Sequence, residues 1–411
     1  MKIGDFESLW QIALKNNPNQ RVYNLNEEQL IFEYNTSKSF YYPQAFASFN
    51  GQDNLIQSVT PVPGALVGHP GSTAYLQFGK HYSYNTGLTL TKDLFDWQAI
   101  LQSKIAKENI ALNTVQQDAF LQTLKLKLGQ YYYAALVAKK SIDIAEKDIL
   151  VVDSIYLAIK QKFDEGLSDA SAVNLAKINK NNVQQNIYQS EQLFNQAVAN
   201  IKVLAGLSPE KTFILIPLDI ENIPSRNINL NSDKTLVPYS TNITINELQI
   251  KEQKAKAFPK ITATGYFGFQ EYRDRFEMSF TKNAWADYQY IGLGLNWPIF
   301  TGFANNNKLK SINTQKKIAE QNYQVAKDQS NINDILLIQN LNTFSALVTS
   351  SKNNFDLFGK NMLLSKQKFN MGLISVDIYL KTFQDYLVAE NQYLNNLSSL
   401  LNTKAVIEAR Q

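Results

Sequence analysis

Residues able to perform chemistry are few and scattered in this chain. It contains no cysteine, so thiol catalysis, thiolate metal sites and disulfides are excluded. Its two histidines, His69 and His81, lie in or beside a loop rich in glycine and proline, where a solvated histidine is far commoner than a metal ligand. No glycine-rich phosphate loop, nucleophile elbow or metal-ligand cluster is present. We therefore expect a protein that is not an enzyme and that needs neither a metal nor a cofactor.

Two acidic residues each follow a glycine within a few positions. Asp169 follows Gly166 by three positions, and Asp377 follows Gly372 by five. Each lies within one turn of the start of a predicted helix, where the helix dipole favours a carboxylate that caps the helix. If several copies of the chain surround one axis, the same acids form a charged ring that attracts cations. The sequence leaves both interpretations open, and we regard Asp169 and Asp377 as possible aperture acids.

The two glycines belong to a pattern that occurs twice in the chain. Phe163–Ser168 reads FDEGLS and Phe369–Ser375 reads FNMGLIS, with the glycines 206 positions apart. A second pair of motifs, Leu94–Asp96 and Ile299–Thr301, is offset by 205 positions. So steady an offset predicts an internal duplication. We divide the chain into a first repeat at 1–206, a linker at 207–241 with a short apolar strand at Phe213–Ile216, and a second repeat at 242–411.

Each repeat is predicted to contain one very long helix. Gln98–Lys162 and Phe303–Met371 have no proline and one glycine each, and each would span on the order of 100 Å if wholly helical. Asp96 and Thr301 suit N-caps, while Gly166 and Gly372 suit the left-handed residues that end such helices. Shorter helices are predicted at about Asp5–Phe40, Ala170–Ala205 and Val376–Arg410.

Four segments alternate between apolar and polar residues, the pattern of a strand with two unlike faces. They are Gln44–Asn50, Tyr82–Leu94, Ile261–Phe269 and Tyr288–Phe300. Their length and their small polar residues on one side match transmembrane barrel strands, although a soluble half-buried hairpin has the same alternation. The segments between them, Asn50–His81 and Glu271–Asp287, are predicted to be loops.

Four strands cannot close a barrel, and an open sheet edge in lipid leaves backbone groups unpaired. A membrane location would therefore require oligomerisation. Three copies would give twelve strands, which suffice for a closed barrel. We predict a mainly α fold with a transmembrane β-barrel part, from about 43–95 and 259–300. The trimeric 12-stranded barrel, with four strands per chain, would be continued by a long α-helical barrel.

Charge and hydropathy exclude further classes of protein. The net charge of +4 is small for 411 residues, and no run of Lys or Arg favours nucleic acid. No apolar stretch approaches the roughly 18–20 residues of a membrane helix. The first residues match no signal peptide, so we expect that, if the protein is exported, this sequence is its mature form behind a start methionine.

The motifs above resemble those of the TolC-like outer-membrane efflux protein family over nearly the whole chain. The opening SLWQIALKNNP at 8–18 is similar to the start of the family's N-terminal helix. Tyr42–Gln44 and Phe258–Lys260 resemble its entries into the first and third strands, and Leu94–Asp96 and Pro298–Gly302 its exits from the barrel. The two Phe-x-x-Gly-Leu turns resemble its periplasmic tips.

The resemblance implies a trimeric passive duct in the outer membrane of a Gram-negative bacterium. Its helical barrel would lie in the periplasm, and it would be the channel component of a tripartite efflux or type I secretion system. The partners implied are outer-membrane lipid, a periplasmic adaptor (membrane fusion) protein and an inner-membrane pump. The adaptor would dock on the tip residues Phe163, Gly166, Leu167, Ser168, Phe369, Gly372, Leu373, Ile374 and Ser375.

This chain departs from familiar members in two features. The family's acidic residue lies about six positions after the second tip glycine, whereas Asp377 lies five after Gly372, and Ala172 occupies the equivalent place after Gly166. The first surface loop is also long. The alternative that the sequence leaves open is a soluble elongated coiled-coil or adaptor protein with a small β-domain.

Overall fold

The computed structural model describes residues 2–3, 5–77, 79–212, 214–215 and 230–411. Most of them are helical. The helices are α1 (Phe6–Asn16), α2 (Pro18–Ser37), α3 (Trp97–Asp164), α4 (Ala170–Leu204), α5 (Val237–Ala255), α6 (Ala304–Asn370) and α7 (Val376–Ala409). The strands are β1 (Lys2–Ile3), β2 (Gln44–Asp53), β3 (Val59–Pro63), β4 (Thr73–Gln77), β5 (Tyr82–Phe95), β6 (Ile214–Leu215), β7 (Lys260–Arg273) and β8 (Ala286–Asn296).

The chain forms two compact units that both take segments from each half of the sequence. The helical unit comprises residues 1–27, 111–241 and 319–411, and the sheet unit comprises residues 28–110 and 242–318. The long helices α3 and α6 each contribute residues to both units. The units therefore differ from the predicted repeats, whose bounds stay a prediction, although helix, hairpin, long helix, glycine turn and helix follow in the same order in both halves.

The helical unit has two apolar cores. In the first, α1 packs through Phe6, Leu9 and Trp10 among residues of α3, α4, α6 and α7. Gly129 is the single glycine of α3, and a methyl group placed there would meet the Cβ of Ala405 at 3.1 Å. Glycine at this position therefore allows α7 to approach α3 closely. The second core joins the C-terminal ends of α3 and α6 to the N-terminal ends of α4 and α7.

Polar contacts hold the segment before α5 in the helical unit. The Asp233 carboxylate accepts hydrogen bonds from Gln122 of α3 at 2.8 Å and from Ser330 of α6 at 2.7 Å. Arg410, just past α7, forms a bidentate ion pair with Asp334 and also donates to the carbonyl of Asn231. The residues around Asp233 are thereby fixed to α3, to α6 and to the C-terminal end of α7.

The sheet unit is built on four antiparallel strands in the order β2-β5-β7-β8. One face of this sheet is apolar and uncovered in the single chain, with Ile291 83% and Leu293 75% exposed, and we name it the apolar face. The opposite face, the polar face, carries mainly Ser, Thr, Asn, Gln and Gly, as the alternation of the sequence requires. Strands β2 and β8 are the two edges of the sheet.

Four predictions about elements needed correction. The predicted single helix at Asp5–Phe40 is two helices, because Pro18 forces Asn17 into an extended conformation (ψ 122°). The predicted loop at Asn50–His81 contains the β3–β4 hairpin. The strand predicted to reach Phe300 ends at Asn296, ahead of Pro298. Helix α5 begins at Val237, within the predicted linker.

Of the apolar strand predicted at Phe213–Ile216, Ile214 and Leu215 pair with Lys2–Ile3, and the other two residues lie outside the described part.

Among the residues that the structure describes, none of the helices is both long enough and apolar enough to cross a membrane.

Candidate functional site

The two predicted tip turns have the same backbone geometry. Gly166 and Gly372 adopt left-handed conformations, with φ of 75° and 73°. In the first turn Gly166 N–H donates to the carbonyl of Phe163 at 2.9 Å, and Leu167 N–H donates to that of Lys162 at 2.7 Å. The second turn repeats both bonds, from Gly372 to Phe369 and from Leu373 to Lys368. This pair of bonds is the Schellman motif, which requires a left-handed residue and so favours glycine.

The helices around the turns bring both turns to the same end of the helical unit. Val152 and Ile159 of α3 are buried in one cluster with Ala172 of α4, Met362 of α6 and Phe383 of α7. The ammonium group of Lys162, beside the first turn, lies 4.0 Å from the ring centroid of Phe369, beside the second. The motifs that the sequence separates by 206 positions are therefore neighbours in the structure.

The leucines after the glycines are exposed. Leu167 is 72% and Leu373 is 69% exposed, and Met371 is exposed beside Leu373. Ile374 is half-buried. The two exposed leucines lie at the same end of the helical unit.

The phenylalanines of the two turns have unequal environments. Phe369 is 2% exposed and stacks on Tyr379 with ring centroids 5.0 Å apart. Phe163 is 42% exposed. The phenylalanine of the motif is therefore part of the core beneath the second turn, whereas in the first turn it is part of the surface. Any part that Phe369 has in docking would be indirect, through the position of its turn.

The helix after each turn has a side-chain cap, from Asp169 at the first turn and from Ser375, rather than Asp377, at the second. Asp169 caps α4, accepting a hydrogen bond from Ala172 N–H at 2.8 Å, and Ser375 caps α7 by accepting from Ile378 N–H at 3.5 Å. Ser168 is half-buried in the first turn, and Asp377 is an exposed residue of the first turn of α7. Capping by Asp169 is thus observed, and the aperture role of Asp169 and Asp377 stays a prediction.

A buried pair of carboxyl groups on the same helices was not predicted. Asp148 of α3 and Glu390 of α7 are both buried and interact with each other, and Tyr386 O–H donates to Asp148 at 3.0 Å. Burial, reinforced by the neighbouring Asp148, raises the pKa of Glu390 to about 9. Burial also raises the pKa of Asp148. The pair therefore holds a proton at neutral pH.

One signal in the sequence could have indicated Glu390. It occupies a position in the apolar stripe of α7, between Leu387 and Leu394, where an acidic residue is out of place. Its partner Asp148 is 242 positions away, and no local pattern connects the two.

Known proteins resemble this chain in sequence over part of its length and in structure over nearly all of it. Residues 9–207 match the family model "Outer membrane efflux protein". The outer-membrane channel OprN is similar in structure with a TM-score of 0.80 at 13% identity, covering 98% of this chain and 89% of that one. The CmeC outer membrane channel of Campylobacter jejuni has a TM-score of 0.77 at 18% identity, covering 98% and 85%. The MtrE outer membrane channel of Neisseria gonorrhoeae, in its open state, has a TM-score of 0.74 at 16% identity, covering 98% and 88%.

No curated protein matches the chain in sequence. The structural matches establish the fold over 98% of the chain, and the family model supports the part of the sequence resemblance that lies within residues 9–207.

Proposed function

We propose that this chain is one of three subunits of a passive efflux duct. Its residues 9–207 match the outer membrane efflux protein family, and its fold is that of outer-membrane channels over 98% of the chain. The observation that carries the proposal is the open four-stranded sheet. Its edge strands β2 and β8 have no partner strand on their outer sides within the described chain. Unpaired edges are not tolerated in lipid, so the sheet needs further strands.

Three copies supply those strands. When β8 of one chain pairs with β2 of the next, three four-stranded sheets close a barrel of twelve strands. The apolar face, with Ile291, Leu293 and Phe267 exposed, would then contact the lipid of the outer membrane, and the polar face would line the lumen. The long helices would form the periplasmic part of the duct.

The tip turns support a docking role toward a periplasmic adaptor protein. Exposed leucines at the end of a helical body have no local core to bury them, and Leu167 and Leu373 are such residues. The adaptor would in turn connect the duct to an inner-membrane pump, which supplies the energy and most of the selectivity. The duct itself would perform no catalysis.

The same end of the duct would present the aperture acids. In a trimer Asp169 and Asp377 would each occur three times around one axis, and rings of carboxylates attract cations. The cap that Asp169 makes to Ala172 uses one carboxylate oxygen, which leaves the charge in place.

A soluble coiled-coil or adaptor protein is not favoured. Such a protein would have to cover the apolar face of its sheet, and that face is exposed in the described residues, with Ile291 at 83%. The match to the outer membrane efflux family points the same way.

Ion conductance in a planar lipid bilayer tests the duct directly. Detergent-purified protein should produce stepwise conductance without any energy source, and a boiled sample should not. Asp169→Asn with Asp377→Asn should still conduct but with weaker cation preference, if the acids line the aperture. Folded protein that inserts and never conducts would contradict the duct, whereas unchanged ion selectivity of the double variant would leave the acids with a capping role alone.

A further inference from the structure

The polar face of the sheet carries a cluster of three tyrosines. Tyr266 of β7 is directly opposite Tyr290 of β8, and Tyr288 is opposite Gly268 in the next row of the same face. The three ring centroids are 5.6 to 5.7 Å apart. The rest of this face is mainly small and polar, apart from Phe46, which lies in the row of Tyr266 on the far side of Thr89, and Tyr272 farther along β7. Three tyrosines that lie against one another are therefore a local feature that needs an explanation.

The rings form a flat surface with an inclined wall. The rings of Tyr266 and Tyr290 are close to parallel, at 16°, while that of Tyr288 is tilted by 54° from Tyr266 and by 57° from Tyr290. Tyr288 is 44% and Tyr290 is 45% exposed. Much of both rings is therefore available to a ligand within the single chain.

Glycines surround the cluster and serve two different purposes. Gly87 and Gly268 lie beneath the Tyr266 side chain, where a methyl group would meet its hydroxyl oxygen at 2.7 and 2.6 Å. They fix where that ring lies. Gly292 and Gly294 continue the same face beyond Tyr290, and a methyl group at Gly292 would meet nothing within 4 Å. They leave open backbone beside the rings, on which a flat molecule can lie.

The charges of the polar face indicate which flat molecule suits it. Along the four described strands, the charged residues of this face are Asp93 and Lys260, which pair with each other at 2.9 Å. Lys260 also pairs with Asp96, directly after β5, at 3.2 Å. The strands themselves therefore carry no excess charge on this face, and recognition depends mainly on the rings. The face of an aromatic ring is negative, so it attracts cations and planar aromatic groups and disfavours anions. The hydroxyl groups of Thr264 and Thr91, in the row of Gly292, can serve polar edges.

We propose that Tyr266, Tyr288 and Tyr290, with the open backbone at Gly292 and Gly294, form a binding surface for planar aromatic cations in transit through the duct. This tyrosine platform rests on the proposed function, because it needs the polar face to line the lumen. In a trimer the platform occurs three times at one level of the barrel. Binding at such a level concentrates the compound in the lumen without closing it.

Binding of ethidium, a planar aromatic cation, tests the platform in detergent-purified full-length protein. Fluorescence anisotropy should report saturable binding. Tyr288→Thr with Tyr290→Thr should weaken it roughly tenfold, since each exposed cation–π contact changes affinity several-fold. Tyr288→Phe with Tyr290→Phe retains the rings and should bind within about twofold of the original protein. Gln289→Thr changes the residue between the two tyrosines, which faces the other side, and is the matched control.

The outcomes separate the platform from the duct. The platform would be overturned if the threonine variant bound ethidium as tightly as the original protein does, or if anionic fluorescein bound as tightly as ethidium. Bilayer conductance by the same protein would still support the duct in either case. Threonine suits strands, so the variant should still conduct, and its conductance verifies that it has folded. An original protein that binds ethidium at the tyrosines but never conducts would contradict the duct and remove the lumenal assignment with it.

Discussion

Glu390 is an acidic residue within a row of buried leucines. Along α7, Leu380, Leu387, Leu394 and Leu401 face the cores, and Glu390 shares that stripe with 3% exposure. At this position the Glu390 carboxyl group must be neutral or must share a proton with Asp148, because an isolated buried charge is very costly. The pH dependence of stability follows from this single position.

Replacing Glu390 with Gln should stabilise the protein at alkaline pH. The pKa of Glu390 is about 9 in the folded chain and about 4.5 in the unfolded chain. Between these values the folded state holds a proton that the unfolded state has lost, so the stability of the original protein falls as pH rises from about 4.5 to about 9. Glu390→Gln removes this loss, on the order of a few kcal/mol at pH about 8.5.

Thermal unfolding followed by far-UV circular dichroism in detergent measures the effect. The midpoints of variant and original should agree near pH 5 and diverge as pH rises. Glu191→Gln, at an exposed position of α4, is the matched control and should follow the original at every pH. If the difference in unfolding temperature between Glu390→Gln and the original protein stays constant as pH rises, Glu390 is not held neutral by burial.

At the scale of elements, the glycine turns were predictable and their surroundings were not. The Phe-x-x-Gly-Leu motif predicts a Schellman turn because only glycine adopts φ near 75° without strain, and both turns have this geometry. The same motif cannot tell that Phe369 is buried and Phe163 is exposed. That difference comes from Tyr379, a residue of another helix, which stacks on Phe369 alone.

The strands show the same division. Period-two alternation predicted β2, β5, β7 and β8 because each has one apolar and one polar face. The β3–β4 hairpin was missed because Pro61 and Pro63 are typical of loops, yet a short two-stranded ribbon tolerates proline at its outer edge. The pairing of β5 with β7, which joins the two hairpins into one sheet, brings together residues far apart in the chain, and no local pattern encodes it.

Charging both tip turns should prevent export without disturbing assembly. Leu167→Asp with Leu373→Asp places carboxylates at two exposed positions, so the fold loses little, while an apolar contact with an adaptor would have to bury unpaired charge. In cells carrying only this variant, efflux of a dye substrate should fall to the level of cells that lack the gene.

The control for the tip variant lies in the surface loop of the sheet unit. Leu55→Asp with Ile56→Asp alters two residues that are also strongly exposed, and dye efflux should stay normal. Heat-labile oligomers on a gel establish that both variants assemble. Normal efflux by the tip variant would exclude Leu167 and Leu373 from adaptor docking.

At the scale of the whole molecule, we expect the single chain to be one part of an oligomer. Within the described residues, its sheet has two edges without a partner strand and an exposed apolar face. Unpaired edges are costly in lipid, and an exposed apolar face is costly in water. Composition alone could exclude catalysis by cysteine, but oligomerisation follows only when four strands are weighed against the number that a barrel needs. The number of chains is therefore the central quantity of this account.

Native mass spectrometry of the protein released from detergent micelles measures that number most directly. The chain has a mass of 46.7 kDa. The account predicts one dominant species of about 140 kDa, the mass of three chains, which dissociates on heating together with loss of the β-sheet signal in circular dichroism. A stable species of 46.7 kDa that retains its β-sheet signal would contradict the closed twelve-stranded barrel, and with it the duct.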